Sequence, residues 1–109
     1  MASFDAFTSL DIRVGRVLEA LDFPQARRPA YRLRIDFGPL GVKNSSAQIT
    51  DYYRPEDLVG KLVVAVTNFP PKQVANFVSE VLVLGVYDQS GCVVLLQPDR
   101  DVRPGDRVG

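Results

Sequence analysis

Apolar residues spaced three apart open the chain. Phe4, Phe7 and Leu10 fall on one side of a short helical turn, with Ser3 ahead of them as an N-cap and Asp5 where the helix dipole favours an anion. The period then drops to two. Ile12 and Val14 alternate with Arg13, the phase shifts at Gly15-Arg16, and Val17, Glu19 and Leu21 continue to about Asp22. A glycine at a phase break predicts a bulge, which bends a strand as a small barrel requires. Phe23 to Ala30, with Pro24 and Pro29, reads as a connecting loop. Arg32 to Phe37 alternates most cleanly, with Leu33, Ile35 and Phe37 on one side and Arg32, Arg34 and Asp36 on the other.

Gly38, Pro39 and Gly41 end that strand, and Val42 to Ile49 predicts a third, whose polar centre from Lys43 to Ser46 weakens the alternation. Tyr53 to Leu58 reads as a one-turn helix with Pro55 in its first turn and Gly60 ending it. Leu62 to Thr67 is an apolar, β-branched run, a strand buried on both faces or nearly so. Asn68 to Ser79 predicts a loop with a short helical turn around Gln73 to Asn76. Glu80 to Tyr87 and Val93 to Gln97 flank Asp88-Gln89-Ser90-Gly91, a hairpin turn, and a turn-rich tail runs from Pro98 to Gly109. Five or six strands, one insertion between the third and fourth, and no long amphipathic helix predict an all-β fold. The small barrel that best fits is the five-stranded Greek-key barrel of the OB type.

Composition narrows what such a barrel does. A length of 109 residues makes one domain, 1–109, and 46% hydrophobic with 24% charged residues is ordinary globular composition. Thirteen basic and thirteen acidic residues cancel, which argues against a hold on nucleic acid by bulk charge but leaves room for a local basic patch. Cys92 is alone, so no internal disulfide forms, and a reducing compartment is the natural home. With neither a signal-peptide pattern nor a membrane-length apolar run, the expected location is cytoplasmic. The absence of histidine removes the commonest general base, proton shuttle and zinc ligand together. No acidic residues stand at metal-ligand spacing, and no glycine-rich phosphate loop is present. The expectation is a binding protein rather than an enzyme, with no metal and no cofactor.

Three segments carry the binding candidates. Arg27 to Arg34 holds four arginines and Tyr31, and Arg32 and Arg34 share a strand face about 7 Å apart. That face is either a surface for phosphates, acidic groups or peptide carbonyls, with Tyr31 for stacking, or an ordinary solvated face. Lys43, Asn44, Ser46 and Gln48 face a groove or belong to an irregular edge strand. Asn68 to Phe77 sets Phe69, Lys72 and Phe77 on a proline-stiffened loop, where the rings either rim a pocket or plug the barrel end. Phe4, Phe7 and Leu10 exceed what so short a helix hides on itself, so they cap the barrel or meet a second subunit.

FTSLDIRVGRVLEA (Phe7 to Ala20), KLVVAVTN (Lys61 to Asn68) and SEVL (Ser79 to Leu82) resemble the tRNA-binding-domain family, an OB-fold found free-standing or appended to aminoacyl-tRNA synthetases. Within it the chain is more similar to the CsaA-type export chaperones. The matching stretches are FPQARRPAYRLRIDFG (Phe23 to Gly38), SSAQIT (Ser45 to Thr50), NFPPKQVANFVSEVLVLG (Asn68 to Gly85) and VVLLQPD (Val93 to Asp99). The resemblance implies a homodimer, with Phe4, Phe7, Leu10 and the tail 98–109 at its contact. It also implies unfolded or pre-export polypeptides and export-machinery components as partners, or tRNA as in the relatives. Neutral charge, and Ser45-Ser46-Ala47-Gln48 where tRNA-binding relatives carry small and apolar residues, weigh toward peptide and leave tRNA open.

Overall fold

The computed structural model describes all 109 residues. In chain order its elements are α1 (Phe4–Thr8), β1 (Ile12–Asp22), β2 (Tyr31–Asp36), β3 (Val42–Ala47), α2 (Pro55–Leu58), β4 (Leu62–Val66), β5 (Lys72–Val74), β6 (Phe77–Ser79), β7 (Leu82–Val83), β8 (Gly85–Tyr87) and β9 (Val93–Leu95). Ser3 caps α1 as its sequence position predicts, its hydroxyl accepting from the Ala6 N–H at 3.2 Å. None of these helical residues is buried. No helix is long and apolar enough to cross a membrane.

The strands lie in the order β3-β2-β1-β4-β7, all antiparallel. The sheet curls until β3 meets the segment entering β7. There the Glu80 N–H donates to the Asn44 carbonyl at 2.8 Å, and the Ser45 hydroxyl donates to the Val81 carbonyl at 3.0 Å. The result is a nearly closed five-stranded barrel of the OB type, as the strand count predicts. Leu33, Ile35, Phe37 and Val63 fill its interior without exposure. Leu58 of α2 joins them, a burial that contributes about 1.5–3 kcal/mol. Ser45 is fully buried among them, which its bond to Val81 makes tolerable.

β1 is the longest strand and changes partners along its length. Ile12 to Arg16 pairs with β4, and Arg16 to Asp22 pairs with β2. Beside its first half the tail takes the place that β2 takes beside the second. The Val14 N–H donates to the Asp106 carbonyl at 2.9 Å, and the Val108 N–H to the Ile12 carbonyl at 2.8 Å.

The bulge does not sit at Gly15. Pairing runs unbroken through Arg16, and the register slips between Val17 and Glu19 instead. What looks like a phase break at Gly15 is an exchange of buried faces. Val63 and Ala65 of β4 are core residues, so Val64 and Val66, with their partners Val14 and Ile12, lie on the barrel's outside. Ile12 and Val14 are thus buried outside the barrel, whereas Val17 and Ala20 are buried inside it. Glu19 and Leu21, expected to continue the inward phase, are exposed because the slip at Leu18 reverses it. Gly15 is needed for space: a Cβ there would stand 2.5 Å from Ile35 Cγ2 and 2.7 Å from the Phe37 ring.

Two further expectations need correction. Gln73 to Asn76 forms no helical turn. β5 and β6 are a hairpin whose ladder ends at Val74 opposite Phe77, and Ala75 in the turn takes φ +50°. Glu80 to Tyr87 is not one strand either. β7 pairs with β4, then β8 leaves to form the expected hairpin with β9 across the Asp88–Gly91 turn.

Candidate functional site

Two connections border one groove of about 1020 Å³. The β1–β2 loop contributes Gln25, Ala26, Arg27 and Arg28; the β4–β7 connection contributes Phe69, Lys72, Gln73 and Val74. Ser46 and Gln48 lie along one side, and Leu82, Leu84 and Tyr87 along another. In OB barrels these two connections and the neighbouring sheet are the usual binding surface. Three cations line the groove against one carboxylate, Glu80, although the whole chain is neutral. Glu80 is already engaged, its carboxylate accepting from the Asn44 N–H at 2.8 Å.

The predicted site residues divide between two places. Ser46, Gln48, Phe69 and Lys72 line this groove. Arg32, Arg34, Asn44 and Phe77 line a smaller hollow of about 300 Å³ with Glu19 and Leu21, on the outer face of β1–β3. Lys43 lines neither; alternation puts it on the same face as buried Ser45.

Neither ring plugs the barrel. Phe69 is 43% exposed at the groove rim. Phe77 packs edge-on against Phe23 at 5.5 Å between centroids, and the Arg32 guanidinium lies 5.5 Å from the Phe23 ring and 5.9 Å from the Phe77 ring. Arg32 therefore ties the β1–β2 loop to the β5–β6 hairpin through cation–π contact. Its Nε is buried without a hydrogen-bond partner.

Tyr31 is not free to stack on a ligand. It is buried, its hydroxyl donates to the Tyr53 carbonyl at 2.6 Å, and burial pushes its pKa up. Nearby, the Tyr52 hydroxyl donates to the Asp88 carboxylate, which raises the phenol's pKa and lowers the carboxyl's. Cys92 is half-buried in the same hairpin, its N–H bonded to Asp88 at 2.9 Å. No three His, Cys, Asp or Glu side chains stand close enough to hold a metal.

A second surface escapes a strand-by-strand reading. On the outside of the barrel, Val64 and Val66 of β4 neighbour Leu84 and Leu82, and Val86 pairs with Val94. Leu82, Val86, Val94 and Leu96 are 49%, 50%, 38% and 39% exposed, so nothing in the chain covers this aliphatic face. Phe4 is also exposed, at 76%, and packs at a tilt against Phe7, 6.1 Å between centroids. The signal in sequence was the apolar run Leu62 to Thr67, which reads as buried on both faces or nearly so without saying by what.

A family model described as "Putative tRNA binding domain" matches residues 12–107. Methionine–tRNA ligase of Thermococcus kodakarensis is 39% identical over 106 residues, which are 97% of this chain and 14% of the ligase. The chain thus spans only a small part of the curated relatives it matches. Among solved structures, the chaperone CsaA of Bacillus anthracis str. Ames superposes with a TM-score of 0.95 at 57% identity, covering 100% of this chain and 99% of that one. The CsaA chaperone protein of Picrophilus torridus superposes with a TM-score of 0.94 at 52% identity, covering 100% of both.

Proposed function

The chain belongs to the tRNA-binding-domain family, and on that premise we propose that it is a non-enzymatic, homodimeric chaperone. It binds unfolded or pre-export polypeptides in the cytoplasm and passes them to export components. The observation that carries this reading is the groove between the two connections. Phe69, Leu82 and Tyr87 offer apolar contact, Gln48 and Gln73 offer amides, and Arg27, Arg28 and Lys72 attract acidic segments. Such a mixture suits many extended sequences and no single rigid ligand. The likeness to two CsaA chaperones over the full chain supports it.

The homodimer is the reading we give to the aliphatic outer face. A second copy laid on Val86, Val94 and Leu96 would cover an uncharged surface with an identical one, as two-fold association allows. Phe4, Phe7 and Leu10 extend the same contact.

A tRNA-binding reading is favoured by one observation, the arginines at 27, 28, 32 and 34, which follow one another along the β1–β2 loop and β2. Titration calorimetry with an unfolded precursor peptide, beside filter binding with tRNA at 50 and 200 mM salt, separates the two. The chaperone reading expects micromolar peptide affinity, roughly 8 kcal/mol. The tRNA reading expects an affinity that falls steeply with salt. Tight tRNA binding with no heat from any peptide would replace the first reading with the second.

A further inference from the structure

The groove holds a backbone feature that side-chain chemistry does not use. In the β2–β3 ladder residues of β3 alternately direct their N–H and C=O groups toward β2 and away from it. Asn44 and Ser46 direct theirs away, because the Asn44 N–H meets the Glu80 carboxylate at 2.8 Å and the Ser46 N–H meets the Ser79 hydroxyl at 3.0 Å. Side chains, not a neighbouring strand, satisfy these two donors. The only backbone bond across this seam joins the Glu80 N–H to the Asn44 carbonyl at 2.8 Å. Beyond Ser46 the closing segment parts from β3, since β7 has turned to pair with β4. Gln48, two residues on, has neither its N–H nor its C=O bonded within the chain. Ser46 and Gln48 both line the groove.

We propose that a polypeptide client binds by adding a strand to this open end of β3, its backbone pairing with the Ser46 carbonyl and with both backbone groups of Gln48 while its side chains meet the groove walls. This rests on the peptide-binding reading above and specifies how that binding is achieved. An exposed edge is a template for an extended chain, and main-chain pairing gives affinity that ignores client sequence. Preference then comes from the walls. Arg27, Arg28 and Lys72 favour acidic residues, and Leu82 and Leu84 favour aliphatic ones. The occupant is an extended, proline-poor segment of alternating apolar and acidic character.

The test modifies the client and leaves the protein intact. A blocked nine-residue peptide of alternating valine and aspartate, with a single central leucine to hold its register, is titrated into the full chain. It is then remade with one N-methyl group at each position in turn. Strand addition expects roughly tenfold weaker binding at every second position and little change between, because alternate amides point to β3. It also expects amide exchange at Gln48 to slow at least tenfold on peptide binding. If the parent peptide binds and Lys72→Ala weakens it, but N-methylation shows no alternation and Gln48 stays unprotected, strand addition is overturned while the groove remains a peptide site. If the parent peptide does not bind at all, both this inference and the chaperone reading fall.

Discussion

The barrel has two outer faces built from the same strand, β1, and they differ completely. Over its second half, Glu19 and Leu21 stand beside Arg32, Arg34 and Asn44, a polar surface where one guanidinium meets two phenyl rings. Over its first half, buried Ile12, Val14 and Val66 lead out to Val86, Val94 and Leu96, which are exposed, with no charge until Arg16. A polar face bathed in water needs no partner. An aliphatic face half exposed on a folded domain usually marks an interface. On the proposed reading the molecule divides its labour: the loops beside the groove meet variable ligands, and the apolar side meets one constant surface.

Breaking the constant surface gives the largest effect. Val86→Asp places a carboxylate where a second copy would bury it, and because Val86 is half exposed the fold itself survives. Light scattering should show a mass near 12.1 kDa in place of twice that, with a cost to association of several kcal/mol. A dimer that persists unchanged would place the contact elsewhere. Next in size, Arg27→Ala combined with Lys72→Ala should weaken an acidic peptide roughly tenfold and flatten its salt dependence, while the mass is unaffected. If these changes shift the mass as well, the two faces are not independent.

Smaller effects sharpen the boundary between them. Arg32→Ala removes the cation between Phe23 and Phe77 and should cost about 1–2 kcal/mol in urea unfolding. It should also slacken the β5–β6 hairpin, read as faster amide exchange at Phe77. The smallest effect lies at Asp11. The Arg13 guanidinium, bonded at 2.6 Å, holds the Asp11 carboxyl below the usual carboxylate range. A depressed folded-state pKa stabilises the fold above the unfolded value, near 3.9, and that stabilisation is lost as pH falls through the folded one. Asp11→Asn should thus cost less than about 1 kcal/mol at pH 7, given partial exposure, and nothing once the pH lies well below the folded-state pKa. A penalty that persists in acid would assign the effect to shape rather than charge.

Much of this architecture is legible in residue order, and the failures have physical causes. Leu33, Ile35 and Phe37 alternate with charged neighbours, so their inward direction is unambiguous. Gly15 misleads because β1 is buried first on its outside and then on its inside, and alternation reports burial without reporting which face. Leu62 to Val66 hides the aliphatic surface for the same reason. The β5–β6 hairpin is missed because Ala75-Asn76 is not a usual two-residue turn. The candidate site is legible as a set of residues and not as a place. Lys43, Asn44, Ser46 and Gln48 are neighbours in sequence, yet alternation and the curl of the barrel send them to different surfaces. Arg27 and Arg28 complete the groove through loop packing that no local pattern encodes.

The partner exchange along β1 also bears on how the chain is made. Ile12 and Val14 acquire their second backbone neighbours only from Val108 and Asp106, far along the sequence. During synthesis from the N-terminus the first half of β1 therefore stays one-sided until Asp106 and Val108 have emerged. Its ladder closes late, by a contact of large sequence separation, which slows folding. For that interval the nascent chain carries an unpaired edge beside an uncovered aliphatic face.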